Sequence, residues 1–165
     1  MKRVLLIIVG CVSLGSAVLA SGLSGPGSAR PWSVEGGLFD PTWSGASTGG
    51  YFAIGRVFWG SGPTEYGLES HSANYKVGIV TITTPTLNFF GRFYNQSCTA
   101  FFMAAVGVGK ATATLGPFSV SGSSTTVFTV GGGMMTGPYT YAIARVQTSS
   151  VTAFKGFSLG YGYRF

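Results

Sequence analysis

The sequence predicts an all-β fold, a closed antiparallel up-and-down transmembrane β-barrel of about eight strands that follows an N-terminal signal peptide. Hydrophobic residues make up 45% of the chain and charged residues only 8%, whereas charged residues make up about 25% of a typical soluble domain. The chain has no run of about 20 apolar residues for a membrane helix, and its 27 glycines disfavour helices throughout. Because backbone polar groups must be paired inside lipid, a closed barrel is the spanning structure that remains.

The first 20 residues have the pattern of a cleaved signal peptide. Lys2 and Arg3 precede the apolar stretch 4–9, and a small-residue pattern ends at Ala20, so we expect cleavage after about Ala20. Residues 21–30 then form a short periplasmic segment, and residues 31–165 form the barrel. A lipoprotein signal at Cys11 is the alternative, but its apolar stretch of six residues is shorter than usual.

Charge and cysteine content exclude several classes of protein. Loss of Lys2 and Arg3 reduces the basic residues from 10 to 8 against four acids, so the mature charge is +4. This charge is too small and too scattered to indicate nucleic-acid binding. Cys98 is then the only cysteine of the mature chain, which rules out an intramolecular disulfide.

Segments of alternating character, separated by clusters of Gly, Ser, Pro and Asn, predict the strands. The eight segments are 30–40, 48–59, 64–71, 78–94, 98–110, 123–132, 138–148 and 153–165. The fourth contains Pro85, which must lie at an edge, at a bulge or in a loop. Short turns at 60–63, 95–97 and 133–137 alternate with longer loops at 41–47, 72–77, 111–122 and 149–152. We therefore expect both termini in the periplasm.

Strand parity predicts which side chains face lipid, because residues i and i+2 share a face. The last strand splits cleanly, with its large apolar side chains on the outward face: Phe157, Leu159, Tyr161, Tyr163 and Phe165. The same test places Trp32, Val34, Gly36 and Leu38 outward on the first strand, and Tyr51, Ala53, Gly55, Val57 and Trp59 outward on the second. An aromatic girdle at the periplasmic end follows: Trp32, Trp59, Tyr66, Phe93, Phe102, Tyr139, Tyr163 and Phe165.

Charged residues on the predicted inward face form a lumen charge network. Its members are three acids and three bases: Glu35, Glu65, Glu69, Arg56, Arg92 and Arg164. The interior of an eight-stranded barrel is just wide enough for side chains to fill, so these groups must pair with one another. An ion path is the alternative, although so narrow a barrel leaves no wide channel. Pore activity is kept as an alternative function.

Three bases fall on the predicted lipid side at the outer ends of their strands: Lys110, Arg145 and Lys155. We interpret them as contacts to the phosphates of lipopolysaccharide, since Arg grips oxygens in a bidentate manner and Lys supplies a point charge. The alternative is that these long side chains extend along the apolar surface to reach water.

The sequence predicts no catalytic, cofactor-binding or metal-binding residues, and we expect no enzyme. His71 shares the inward face with Glu69, and Ser70 and Ser72 flank it, which are the residue types used in acyl transfer. No spacing signature supports that chemistry, and the pair faces the lumen rather than a lipid substrate. A solvated histidine at the end of a loop is the better interpretation. One histidine and Cys98 make no recognisable metal-ligand set.

Residues 31–165 resemble the small outer-membrane β-barrels of the opacity and attachment type. The resemblance depends on three stretches: 34–39 (VEGGLF), 104–109 (AAVGVG) and 156–165, in which Phe157, Leu159, Tyr161, Tyr163 and Phe165 are similar to the signal read by the barrel assembly machinery. It implies an outer-membrane location and assembly by that machinery. It implies little about activity, because the fold does not determine the function. The loops are shorter than those of typical adhesins.

The leading functional hypothesis is therefore a non-enzymatic barrel with a structural, membrane-stabilising role that contacts outer-leaflet lipid phosphates. A surface adhesin is the alternative, and it would use Leu115, Phe118 and Val120 of the loop 111–122. A lipid-modifying barrel enzyme and a secreted fimbrial-type β-sandwich are weaker alternatives, the latter because it usually has a paired disulfide. The oligomeric state is left open.

Overall fold

The structure is a computed structural model that describes residues 30–58 and 62–165. Within these residues, segments of alternating inward and outward side chains form nine strands. The strands are β1 (Trp32–Pro41), β2 (Ala46–Phe58), β3 (Thr64–Val77), β4 (Val80–Thr83), β5 (Thr86–Tyr94), β6 (Ala100–Leu115), β7 (Phe118–Met135), β8 (Thr140–Ser149) and β9 (Gly156–Arg164). A 3-10 turn, η1, spans Thr152–Phe154. The predicted signal peptide and the girdle residue Trp59 lie outside the described residues. Within them, no helix has the length and apolar character needed to span a membrane.

The strands close into a ring with eight positions. Antiparallel pairs run in the order β2, β1, β9, β8, β7 and β6, and β3 closes the ring by pairing with β2. The eighth position is shared by β4 and β5, each of which pairs with β3 on one side and β6 on the other. The prediction of an eight-stranded antiparallel up-and-down barrel is confirmed.

The division between β4 and β5 lies at Pro85, as the sequence suggested. Proline lacks the N–H that a ladder requires, so a strand cannot continue regularly through it. The neighbouring strands still contact the break: the Thr84 N–H donates to the Ala73 carbonyl at 3.0 Å, and the Lys110 N–H donates to the Pro85 carbonyl at 3.2 Å. The wall of the barrel therefore remains continuous there.

Two predicted loops are largely strand. β3 continues to Val77 and turns at Gly78, whose φ is +61°, into β4. β6 and β7 continue to Leu115 and Phe118, with Gly116 at φ +56° in the turn between them. Residues rich in Ser, Thr and Gly look like loop in the sequence, but here their backbones are paired in ladders.

The inward and outward faces predicted from strand parity are correct for β1 and β9 and wrong for β2. In β2 the buried side chains include Tyr51, Ala53 and Val57, and the outward ones include Phe52 and Ile54. Apolar residues occur on both faces of this strand, so the alternation carries no signal that separates inside from outside. The register settles the orientation, because Ala53 lies directly opposite the inward Glu35.

The outer surface is an apolar band that ends in an aromatic girdle. We call the end of the barrel with residues 30–32 and 164–165 the terminal end, and the opposite end, with the β3–β4 and β6–β7 hairpins, the loop end. Exposed side chains at the terminal end include the predicted girdle members within the described residues: Trp32, Tyr66, Phe93, Phe102, Tyr139, Tyr163 and Phe165. Aromatic rings at one edge of an apolar band are typical of a membrane interface.

Candidate functional site

An alternating chain of ion pairs crosses the lumen. Glu35 accepts from the guanidinium groups of both Arg92 and Arg145. Arg92 also pairs with Glu65, with 2.8 Å between Nη1 and Oε1, and Arg145 also pairs with Glu69. All five residues are at most 2% exposed, so the low-dielectric surroundings make each charge dependent on its partners.

Hydroxyl and amide donors satisfy the remaining carboxylate oxygens. Ser33 and Tyr94 each donate a hydroxyl hydrogen bond to Glu65. The Asn88 side-chain amide donates to Glu69 at 3.0 Å between Nδ2 and Oε1. These donors come from β1 and β5, so strands on different sides of the barrel stabilise one network.

Two arginines lie on the opposite faces of the barrel wall from those that the sequence predicted. Arg145, expected on the lipid side, is 1% exposed and belongs to the lumen network; Arg56, expected in that network, is exposed on the outer face. Tyr139 and Arg145 have the same parity, but the exposed Tyr139 lies before β8, whereas the buried Tyr141 begins the inward series of that strand. The error for Arg56 follows from the inverted parity of β2.

Arg164 is inward and buried, as predicted, but it lies apart from the chain of ion pairs. Its guanidinium carbon lies 4.5 Å from the centre of the Tyr94 ring. Its side-chain nitrogens have no hydrogen-bond partner among the described residues. Tyr94 connects the two parts, since its hydroxyl donates to Glu65 while its ring faces Arg164.

His71 is buried between aromatic rings, which corrects the expectation of a solvated histidine. Its ring centre lies 5.3 Å from that of Phe39 and 5.1 Å from that of Tyr51. Its Nε2 lies 3.2 Å from Oε1 of Glu69. Ser70 is exposed on the opposite face of β3, so the arrangement brings no serine hydroxyl to this His–Glu pair. No group of candidate metal ligands occurs among residues 30–58 and 62–165.

The turn η1 covers the lumen at the loop end. Phe154 is buried there and packs in a cluster with Phe39 and Tyr75. The Tyr75 hydroxyl donates to the Ala153 carbonyl at 2.5 Å, and the Gln147 amide donates to the Phe154 carbonyl at 2.7 Å. Sequence reasoning missed this cover, because residues 153–155 continue the alternating pattern of β9 and were assigned to the strand.

The loop end presents a polar and apolar surface above this cover. Lys110 is exposed and Lys155 is half-buried. The hairpins carry apolar side chains with high exposed fractions: Ile79 at 84%, Phe118 at 74% and Val120 at 72%. The pairing of β7 with β8 begins only at Val127, so residues 118–126 of β7 are paired with β6 alone.

Cys98 lies in the turn between β5 and β6 rather than at the start of a strand. It is half-buried and has φ +53°, the one positive φ of a non-glycine residue in the described chain. Burial raises the pKa of its thiol, and the charge of Arg164 opposes that shift. A thiol held in its neutral form is a weak nucleophile.

Solved structures of known barrels share this architecture. The attachment invasion locus protein of Yersinia pestis has a TM-score of 0.56 and 15% identity over 82% of this chain and 97% of its own. Its complex with the heparin analogue sucrose octasulfate gives 0.57 and 16% over 82% and 99%. The N-terminal β-barrel domain of Pseudomonas aeruginosa OprF gives 0.52 and 16% over 81% and 97%. No protein-family model and no curated protein sequence matches the chain. The chain thus has the fold of the small eight-stranded outer-membrane β-barrels.

Proposed function

We propose that this chain is a non-enzymatic β-barrel of the outer membrane, exported with its signal peptide removed, whose main role is to stabilise that membrane. The observation that carries the proposal is the lumen, which is occupied by the Glu35–Arg92–Arg145 ion pairs and covered at the loop end by Phe154. Side chains packed in this manner favour a rigid wall over a conducting path. The outward apolar band supports insertion into lipid.

Lys110 and Lys155 are proposed to contact lipopolysaccharide phosphates, without Arg145. Lys110 is on the outer face at the loop end, and Lys155 precedes β9, whose outward residues begin at Phe157. Ammonium groups at that level can neutralise phosphate on neighbouring lipids. The test replaces both with Gln and measures lipopolysaccharide retained by the purified barrel, with Lys76→Gln as a control. Unchanged retention in the double variant would refute the contact.

The outward series of β9 is proposed to be the signal for the barrel assembly machinery. Phe157, Leu159, Tyr161, Tyr163 and Phe165 all share the lipid face, and the β9 ladder closes the ring against β1. Deleting Phe165 should reduce the yield of heat-modifiable barrel in cells while leaving in vitro folding into detergent nearly unchanged. Equal losses in both settings would indicate a purely structural role for this residue.

The membrane-stabilising role is tested in cells that lack the gene for this chain. Restoring the wild-type chain should restore resistance to detergents and bile salts, because an intact outer leaflet excludes them. The purified barrel in planar bilayers should give no stable conductance steps. Discrete, ion-selective steps would replace this proposal with a pore.

A second candidate is surface recognition, favoured by the projecting β6–β7 hairpin. Residues 118–126 of β7 lack a partner strand on the β8 side and carry the exposed Phe118 and Val120. An open strand edge can pair with an extended segment of another protein. The Yersinia pestis neighbour was crystallised with a sulfated saccharide, which suggests sulfated surfaces as a second type of partner, and Lys76 and Lys110 supply positive charge near the hairpins.

Replacing residues 116–121 with a short Gly-Ser linker distinguishes the two candidate functions. The barrel wall does not depend on this tip, so the membrane-stabilising role predicts unchanged detergent resistance and unchanged folding. Recognition predicts loss of cell attachment to immobilised sulfated glycans or to host cells. Attachment equal to that of the wild type would remove the recognition candidate.

A further inference from the structure

Two arginines lie within the aromatic girdle at the terminal end. Arg30 precedes β1, and Arg56 lies in β2 directly opposite Trp32 of β1. The ladder extends beyond β1, since the Val57 N–H donates to the Pro31 carbonyl at 2.6 Å. Arg30 and Arg56 therefore lie on the same two-stranded ribbon, on either side of Trp32. Neither belongs to the lumen network.

Aromatic contacts hold the Arg30 side chain. Its guanidinium carbon lies 3.9 Å from the centre of the Tyr139 ring, and its Nη1 donates to the Tyr163 hydroxyl at 2.7 Å. Both tyrosines are exposed on the outer face of the barrel. A cation over the face of a ring is attracted to it while its remaining N–H groups stay available. The group is thus oriented at the girdle rather than free to extend into water.

Arg56 is placed in a similar setting on the neighbouring strand. Its guanidinium carbon lies 5.5 Å from the ring centres of Trp32 and of Phe58. It lies on the outward face of β2, which also carries Ile54. A guanidinium between two lipid-facing aromatic rings lies at the depth where headgroups meet acyl chains.

No side-chain carboxylate of the described chain lies beside these two cations. The four acids of the chain are Asp40, Glu35, Glu65 and Glu69. Glu35, Glu65 and Glu69 point into the lumen, and Asp40 is near the loop end of β1. Among the described residues the ion pairs involve only Arg92, Arg145 and His71 as bases. Neither girdle arginine forms an ion pair with a described residue, the Phe165 carboxylate beside Trp32 included, so both guanidinium groups are available to an anionic ligand.

We propose that Arg30 and Arg56, together with Trp32, form a binding site for the headgroup of an anionic phospholipid of the periplasmic leaflet. In bacterial barrels the short turns, which here share an end with the termini, face the periplasm. Arg presents a planar fork of donors that matches phosphate oxygens, and an indole ring packs beside the glycerol and upper acyl chain. Two guanidiniums on one ribbon favour a lipid with net negative charge over a zwitterionic one.

The test is native mass spectrometry of the mature chain, folded in detergent micelles and titrated with phosphatidylglycerol or phosphatidylcholine. The wild type should retain phosphatidylglycerol preferentially. The double variant Arg30→Gln, Arg56→Gln should lose that preference, with its phosphatidylglycerol affinity lowered about thirtyfold, because each of the two interfacial cations contributes about 1 kcal/mol toward anionic lipid. Both side chains are at the outer surface, so the variant should fold, which a heat-dependent shift in gel mobility verifies.

Lys76→Gln is the matched control, since it removes an exposed cation at the opposite end of the barrel that is not assigned to a lipid contact. It should leave the phosphatidylglycerol preference unchanged. The double variant Arg30→Lys, Arg56→Lys, which keeps charge but loses the planar fork, should fall between the wild type and the Gln variant. The proposal is overturned if the wild type shows no preference, if the Gln variant keeps it, or if Lys76→Gln abolishes it equally.

Discussion

Arg145 of β8 forms an ion pair with Glu35 of β1, although the two residues are 110 positions apart in the chain. The pair is formed across the lumen between strands that are not neighbours in the ring. Arg145 joins Glu35 to Glu69 as well, so it connects β1, β3 and β8. This ion pair connects two strands directly, whereas the backbone hydrogen bonds of the sheet connect them only through the strands between them.

Arg145→Met should strongly destabilise the barrel. The substitution leaves Glu35 and Glu69 buried with one basic partner fewer, and breaking a buried pair typically costs about 3–5 kcal/mol. Urea unfolding of the barrel refolded into lipid vesicles, followed by tryptophan fluorescence, measures the change. Lys110→Met is the control and should change the free energy of unfolding by less than about 0.5 kcal/mol. Equal stability of the two variants would mean that Arg145 contributes nothing as an ion-pair partner.

Gly160→Ala should destabilise the barrel because β9 passes close to a ring in the lumen. A Cβ at this position would overlap the Tyr51 hydroxyl and would lie 2.9 Å from the Gly36 carbonyl oxygen. Overpacking of this kind typically costs about 1–3 kcal/mol. Gly36→Ala on the adjacent strand is the control, since its Cβ would meet only the Tyr51 carbonyl oxygen at 3.8 Å.

The second part of this test is a compensating change. Tyr51→Leu removes the hydroxyl and the outer part of the ring, so it should cost less in the Gly160→Ala background than in the wild type. A double-mutant cycle by urea unfolding gives the coupling between the two positions. Strictly additive effects would show that Tyr51 is not the obstacle to a side chain at position 160.

The strand count, the antiparallel ring and the inward Glu35, Glu65, Glu69, Arg92 and Arg164 were all predictable from periodicity. They were predictable because one face of each of their strands must be apolar while the other carries charge. The prediction of the inward face was wrong for β2 because both faces of that strand carry apolar residues. Register against β1 determines its orientation, and a single sequence contains no measure of register.

The inward position of Arg145 and the cover formed by Phe154 are determined by the residues at which β8 and β9 begin. Tyr139 falls within the predicted strand 138–148 and faces outward, but it belongs to the turn before β8, so its orientation does not continue along that strand. Ala153 and Phe154 fit the alternation of β9, but the 3-10 turn directs both side chains inward instead. Turn geometry of this kind leaves little trace in residue types.

Cys98→Asn should stabilise the turn between β5 and β6. The left-handed φ of +53° at Cys98 is costly for most L-residues, whereas Asn tolerates it, so we expect a gain of about 0.5 kcal/mol. The measurement is the urea midpoint, with Cys98→Ala as the control that should give no gain. A lower midpoint for Asn than for Ala would contradict the assignment of the strain to this residue.

Phe154→Ala should open the lumen at the loop end. The side chain is 2% exposed and packs against Phe39 and Tyr75, so its removal leaves a cavity that typically costs about 3–5 kcal/mol. Backbone amide hydrogen exchange should accelerate at Phe154 and Lys155, because the hydrogen bond from the Gln147 side-chain amide to the Phe154 carbonyl, which holds the turn, would be exposed to water. Thr152→Ala, an exposed change in the same turn, should preserve both stability and protection. Wild-type exchange rates in the Phe154 variant would mean that η1 is held by its backbone alone and that the ring does not close the barrel.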